Sequence, residues 1–228
     1  MATFCLIHGN WHDGSCWAPL IGPLRERGHD AVAPDLPLED PAASWELRID
    51  SPLRALDGVE GQVVVVAHSA SSGYGALVAD RLSNPLLVHL CPRLGQFRAP
   101  PDAPSVFRPG FPFPPRRADG ANVWDPEAAI PAMYPRLPRD TAEQLAGRLR
   151  PAARPAGAFP LPSHPEVRTA LIYATDDEFF EPDWERFMAR NVLGIEPVEI
   201  DGGHFPMLED PESLAAVLDP LVSRSPRA

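Results

Sequence analysis

The chain has 228 residues, a formal net charge of −11 and an apolar fraction of 44%, which suits one soluble α/β domain with its own core. The acidic balance argues against a nucleic-acid partner, because neutralising phosphates needs a basic surface, and no apolar run is long enough to span a bilayer. Lysine is absent, which excludes Schiff-base chemistry on a lysine and a P-loop lysine.

A short apolar strand is expected over residues 3–7. No basic segment precedes it, so the reading is of a chain without a secretory leader and with a cytoplasmic location. His8 to Gly14 form a loop with glycines for unusual backbone angles. Trp17, Leu20, Ile21 and Leu24 fall at helical spacing, predicting a helix over 16–27 that Gly28 ends. A second strand is expected over 30–36, and a proline- and acid-rich loop over 37–43. Trp45, Leu47, Ile49, Leu53 and Leu56 predict a helix over 44–56, with Pro52 a potential break. The cysteines Cys5, Cys16 and Cys91 are odd in number and lack CxxC spacing, so they read as small apolar packing groups.

The next stretch organises the rest. Val63, Val64, Val65 and Val66 are β-branched and apolar on both faces, as in a parallel strand covered by helices. Small and polar residues follow, then a helix over 74–82. A serine lifted on a tight strand-to-helix turn is a nucleophile elbow, and Ser69 is in that position. The flanking places two before and two after must be small; they hold Ala67 and Ser71 where glycine is usual. A strand over 86–91 continues the strand–helix alternation, which predicts a parallel sheet with right-handed crossovers.

Residues 92–165 have a different texture, crowded with prolines. Two short helices are expected there, near 126–133 and 141–149. The apolar content (Phe107, Phe111, Phe113, Trp124, Ile130 and Met133 among others) argues for an ordered cap over the sheet rather than a disordered linker. The expected division is therefore a core of 1–91 and 166–228 with a cap of 92–165. Sheet texture returns at 169–174, followed by a helix over 182–191, a last strand over 196–200 and a final helix over 211–222.

Three predicted strand ends carry chemistry: Ser69, an aspartate at Asp176 or Asp177, and His204. A serine hydroxyl is a poor nucleophile at neutral pH. An imidazole can take its proton, and a buried carboxylate can hold that imidazole and stabilise its charged form. Oxyanion donors are expected from the backbone N–H groups of Ala70 and Asn10. His8 is expected to brace the oxyanion loop, His68 to fill the elbow and His12 to face the pocket. Gly9, Trp11, His12, Trp124 and Phe205 are the expected substrate-binding residues. No HxxxH-type pairing with carboxylates supports a metal, and neither metal nor cofactor is expected.

The run Phe4-Cys5-Leu6-Ile7-His8-Gly9-Asn10-Trp11-His12-Asp13-Gly14 resembles the opening of α/β-hydrolases related to plant methylesterases and hydroxynitrile lyases. Gly28 to Leu36, Thr175 to Pro182 and Asp201-Gly202-Gly203-His204 resemble the same family. The resemblance implies the α/β-hydrolase fold, a mostly parallel sheet of about six strands with helices on both faces, and places the catalytic acid on Asp177. It does not extend over the proline-rich cap. Asn10 departs from the small apolar residue usual at its position. In the lyases of this group a threonine is expected at the Gly9 position and a lysine after the histidine, where this chain has Phe205. The resemblance therefore favours hydrolysis of a small carboxylic ester, thioester or lactone. A lyase or cyclase using the same three residues, and a non-catalytic binding protein, are the alternatives. The expected partner is a small-molecule substrate, without nucleic acid or membrane; a homodimer is left open.

Overall fold

Four valines with no polar face need cover on both sides, and the sheet supplies it. In the computed structural model, which describes residues 1–223, they lie within β3 (Gln62–His68). The last residues of the expected second core segment, 224–228, lie outside the described residues. Val64 and Val66 join Phe4, Leu6, Val88 and Leu90 in one apolar cluster. Val63 and Val65 join Cys5, Ile7, Leu87 and Leu171 in another. The period-two alternation of a strand thus divides the core into two layers.

The remaining strands are β1 (Ala2–Ile7), β2 (Asp30–Val32), β4 (Leu86–Leu90), β5 (Arg168–Ala174) and β6 (Val198–Ile200). Every pairing is parallel, in the order β2-β1-β3-β4-β5-β6. One face is covered by α1 (Ala18–Glu26) and α8 (Pro211–Ser223), whose Leu20, Leu24, Leu214 and Leu218 are buried. The other is covered by α2 (Trp45–Ala55), α3 (Ser72–Asp80) and α6 (Pro182–Met188), through Ile49, Leu77 and Met188. The strand order turns back at β1, which has β2 on one side and β3 on the other. In open α/β sheets the crevice at the carboxyl ends of such a reversal is the usual ligand site.

Several expected boundaries shift for identifiable reasons. The strand expected over 30–36 stops at Val32. Beyond it, Asp35 Oδ1 accepts the Gly14 N–H (2.7 Å) and the Leu36 N–H donates to His8 Nε2 (3.0 Å), so this segment serves the β1 exit loop rather than a ladder. The helix expected from residue 16 begins as a 3-10 turn, Gly14–Trp17, capped by Asp13, whose side chain accepts the Ser15 N–H. Helix α2 continues through Pro52, which forfeits one intrahelical bond without ending the helix. Helix α6 gives way to a π-helical turn, Ala189–Leu193, closed by Gly194 at φ 68°.

Residues 92–165 connect β4 to β5. They carry α4 (Pro126–Met133) and α5 (Arg139–Ala146), and their Trp124, Ile130, Met133 and Tyr134 belong to the same apolar cluster as Phe4 and Val64. The irregular parts are tied down by backbone bonds. The Arg150 N–H donates to the Trp11 carbonyl (2.8 Å), Ala153 to Leu38 (2.7 Å) and Arg108 to Phe179 (2.9 Å). The buried Arg48 guanidinium donates to the Ala153 and Asp40 carbonyls, each at 2.8 Å, and to the Tyr74 hydroxyl at 3.0 Å. No helix among the described residues is long and apolar enough to cross a membrane.

Helix α3 lies so close to β3 that a Cβ at Gly75 would sit 2.3 Å from the Ala67 Cβ. Ala67 occupies an elbow place where glycine is usual, and Gly75 supplies the missing space from the other side. Gly75→Ala is expected to destabilise the fold by about 2 kcal/mol, despite alanine's better helix propensity. Adding Ala67→Gly in the same chain is expected to recover most of that loss. Denaturant unfolding of the two single variants and the double variant checks the coupling.

Candidate active site

The turn from β3 into α3 has little choice of geometry. Ser69 has φ 59°, in the left-handed region that a non-glycine residue adopts only under constraint. Its carbonyl is held by the Ser72 hydroxyl (2.8 Å) and the Arg93 N–H (3.1 Å). The Ser71 hydroxyl, fully buried, donates to the His8 carbonyl at 2.6 Å, so this replacement of glycine bonds the elbow to the end of β1. On the opposite side Gly9 presses against the turn. A Cβ there would lie 2.8 Å from His68 Nδ1 and 3.1 Å from the Ser69 Cβ.

Three strand ends bring Ser69, His204 and Asp177 together. The Ser69 hydroxyl and His204 Nε2 are 2.9 Å apart, and His204 Nδ1 is 2.6 Å from Asp177 Oδ2. In the tautomer these partners suit, Nδ1 donates to the carboxylate and Nε2 accepts the serine hydroxyl. His204 and Asp177 are each 1% exposed and Ser69 7%, so the relay is shielded from water up to its reactive end. The second Asp177 oxygen accepts the N–H groups of Phe179 (2.7 Å) and Phe180 (2.8 Å). Asp176, the other aspartate of the pair, instead bonds Arg136 at the surface.

The histidine loop is fixed through its backbone. The His204 N–H donates to Glu178 Oε2 (2.9 Å), the Gly203 N–H to Glu209 Oε2 (2.8 Å), and the His204 carbonyl accepts from His68 Nε2 (2.8 Å). His68 therefore does more than fill the elbow: it ties the end of β3 to the loop that carries His204. The Phe179 ring stacks on the His204 ring, centroids 4.1 Å apart at 23°. His8 bridges the β1 exit loop to residue 36, placing Nδ1 2.9 Å from the Gly9 carbonyl and accepting the Leu36 N–H.

A two-lobed cleft opens beside Ser69. The smaller lobe, about 80 Å³, contains Ser69 and is walled by Trp11, Phe111, Phe179 and Phe180. The larger, about 230 Å³, extends toward Trp45, Tyr74 and Arg154. Asn10 and Ala70 line both lobes, with Arg93, Phe107, Phe113 and Asn122. The Asn10 N–H has no acceptor among the described residues. The Ala70 N–H lies in the first turn of a helical segment, Ser69–Ser71, where backbone donors lack intrahelical acceptors.

Of the five expected substrate-binding residues, Trp11 alone lines the cleft. Gly9 is a close-approach residue behind the elbow. His12 does not face the pocket: Nδ1 donates to the Asn10 carbonyl (3.1 Å) and Nε2 accepts the Tyr134 hydroxyl (2.7 Å). Trp124 packs edge-on against Trp11 and Phe111, and Phe205 lies between His12 and His204, each ring centroid 4.9 Å away. These side chains form the layer behind the wall. The walls that sequence reasoning missed come mostly from 92–165, whose irregular backbone offers no periodicity. Arg93 alone carried a signal, since it follows a strand's carboxyl end.

The sequence profile of the α/β hydrolase family matches residues 6–217. The chain belongs to that family. The fold of this α/β hydrolase is similar to that of a pyrethroid hydrolase from Sphingobium faniae JZ-2, with TM-score 0.71 at 21% identity over 97% of this chain and 98% of that one. It is also similar to a methylesterase from Arabidopsis (TM-score 0.72, 19% identity, 98% and 99% covered). Polyneuridine aldehyde esterase has TM-score 0.72 at 17% identity, with 96% and 98% covered. A carbendazim-hydrolysing esterase from Nocardioides sp. (strain SG-4G) is 31% identical over 91 residues, which is 36% of this chain and 38% of that relative's length.

Two other groups in the hydrolase core bear on its chemistry. Cys91 Sγ, Asp177 and His204 bring ligand-type atoms within 4.8 Å of one another. Burial pushes the Cys91 thiol pKa well up, which keeps it protonated and a poor metal ligand. Glu185, missed by sequence reasoning, is fully buried with both carboxyl oxygens unpartnered. Burial first, then the Asp177 charge, pushes its pKa well above the usual range, so it holds its proton.

His8, His12, His68, His89 and His164 all have pKa values lowered chiefly by burial, His12 to about 4. The unfolded chain binds protons that the folded chain refuses, so their stabilising contribution is lost as pH falls below about 6.5. For His12 alone the loss approaches about 1.4 kcal/mol per pH unit between pH 6 and 4. Thermal unfolding followed from pH 7 to 4.5 is expected to show a steep fall in Tm. Glu185 has the opposite sign: its raised pKa costs stability as pH rises from about 4.5. Glu185→Gln is therefore expected to raise Tm at pH 8, with the gain shrinking toward pH 4.5.

Proposed function

We propose that this α/β hydrolase is a serine esterase that cleaves a small carboxylic ester, thioester or lactone. The observation that carries the reading is the continuous relay from the Ser69 hydroxyl through His204 to Asp177, at 2.9 and 2.6 Å. As Ser69 attacks the acyl carbon, His204 Nε2 takes its proton and Asp177 stabilises the imidazolium. The Asn10 and Ala70 N–H groups receive the oxyanion; losing one such donor costs about 3 kcal/mol of barrier. His204 then returns the proton to the departing alcohol. In the second half it activates water, which releases the acid from Ser69.

Residues 92–165 act as a lid in this reading, since they supply Phe107, Phe111, Phe113 and Asn122 to the cleft and are clipped to the acid loop. Arg108 Nε donates to the Asp177 carbonyl at 2.9 Å. The tight space at Gly9 weighs against the lyase reading, because a threonine side chain there would collide with His68 and Ser69. Phe205 likewise puts no cation beside His204. The names of the esterases and hydrolases of similar fold agree with ester cleavage.

Ser69→Ala is expected to lower kcat/KM on p-nitrophenyl esters by about 10⁴- to 10⁶-fold and to abolish labelling by a fluorophosphonate. Asp177→Asn is expected to cost about 10⁴-fold with the fold intact. Hydrolysis in ¹⁸O-water should place the label in the acid product. Label-free acid, or unchanged turnover in Ser69→Ala, would remove the acyl-enzyme.

A further inference from the structure

The larger lobe of the cleft is cationic in an acidic protein. Arg93, Arg116 and Arg154 line it, and no aspartate or glutamate lines either lobe. Elsewhere on this chain of net charge −11 most described arginines find acids, Arg54, Arg81, Arg139, Arg150 and Arg190 among them, although Arg25, Arg48, Arg98, Arg148 and Arg168 do not. The three in the cleft have no ion-pair partner among the described residues. Arg93 is half-buried while Arg116 and Arg154 are exposed, so the lobe presents hydrated guanidinium groups that an entering anion can meet.

The backbone that carries them is built, not loose. Arg93 is pinned on both sides, its N–H on the Ser69 carbonyl at 3.1 Å and its carbonyl on Trp184 Nε1 at 3.0 Å. Cys91 (φ 43°) and Leu94 (φ 51°) flank it in the left-handed region, strain of the kind that collects at functional sites. Its guanidinium lies 5.8 Å over the Phe107 ring. Arg116 pairs backbone-to-backbone with Asn122, and Asn122 exchanges both backbone bonds with Ala152 at 2.8 and 2.9 Å. Arg154 follows Ala153, which the buried Arg48 and the Leu38 carbonyl both hold. The Gln96 amide, in the same wall, has a buried oxygen with no partner. Burial, and then the charge on Arg154, lowers the pKa of the Arg93 guanidinium, as expected of two cations facing one space.

Arg93 lines both lobes, so the cationic space is continuous with the one holding Ser69. We infer that the substrate carries a second, anionic group, a carboxylate or a phosphate, which docks between Arg93, Arg116 and Arg154 while its ester carbonyl reaches Ser69. The lobe, about 230 Å³, is larger than the space of several water molecules and so admits a carboxylate or a phosphate. Guanidinium forks match the oxygens of either anion. This inference rests on the esterase reading for its reaction but not for its binding.

The test uses matched ester pairs that differ only in charge. Mono-p-nitrophenyl glutarate against p-nitrophenyl glutaramate puts the anion on the acyl side. Para-acetoxybenzoate against para-acetoxybenzamide puts it on the leaving group. On at least one pair the anionic ester is expected to be favoured at least about tenfold in kcat/KM, a ratio that falls as salt is raised from 0.05 to 0.5 M. The ratio is expected to drop about tenfold in Arg93→Gln and in the Arg116→Gln/Arg154→Gln double variant. Calorimetric titration of the Ser69→Ala protein with glutarate and with inorganic phosphate reads binding without turnover, and the tighter ligand identifies the anion. If no ester is turned over but these anions bind and the arginine variants lose them, the esterase reading fails and the anion site stands. Equal rates on neutral and anionic esters, with no anion bound, would overturn the anion site and leave the esterase.

Discussion

The turn that carries Ser69 makes demands on every element around it. A residue with a side chain is held at φ 59°, where the chain folds tightly back on itself. That conformation survives because neighbouring atoms leave no alternative. Gly9 lies against one side, Gly75 clears space for Ala67 on another, and Ser71 bonds the end of β1. The usual elbow solves the same crowding with glycines inside the turn. Here part of the relief is moved outward, into α3 and the β1 exit loop. The consequence is that β1, β3 and α3 are coupled more tightly than sheet pairing alone would require.

From that fixed point the rest of the site is held through its backbone groups, which bond to one another and to the side chains of Asp177, Glu178, Glu209 and His68. Asp177 is oriented by two N–H groups of its own loop, and His204 is held at its N–H and its carbonyl. Groups so held lose little entropy on reaching a reactive arrangement, because folding has already ordered them. His8, His12 and His68, whose pKa values burial lowers, serve the same end, each using a ring nitrogen to bond a distant segment of the chain. A protonated imidazole would break that pattern, which links the geometry of the site to its sensitivity to acid.

The proline-rich stretch after β4 has a double character. Its aromatic side chains complete the apolar core and wall the lobe at Ser69, while Arg93, Arg116 and Arg154 line the lobe beyond. Proline restricts the backbone without helices or strands, so an irregular segment can still be ordered once its carbonyls and N–H groups find partners on the core. The protein's negative surface charge makes the cationic recess stand out electrostatically, since the arginines outside it are largely matched by acids.

Much of this was readable along the chain. Short apolar runs identified the strands, helical spacing the helices, and the valine run the buried centre of a parallel sheet. Ser69, His204 and an aspartate at 176 or 177 were singled out because strand ends in such a sheet are where chemistry gathers, the resemblance chose Asp177, and the fold brings the three within hydrogen-bonding distance. The cleft wall was not readable. Local signals report which residues prefer burial, but not which buried residue touches a cavity and which lies one layer behind it. His12, Trp124 and Phe205 looked like pocket residues and turned out to support it, while Phe107, Phe113 and Asn122 sit in backbone with no period to read. The sequence by itself determined the layers and the candidate triad, because the layers follow from local pattern and the three residues from strand-end placement and a family resemblance. Only the tertiary structure decided the shape and charge of the space beside Ser69, because Arg93, Arg116 and Arg154 converge through long-range backbone pairings that no local pattern encodes.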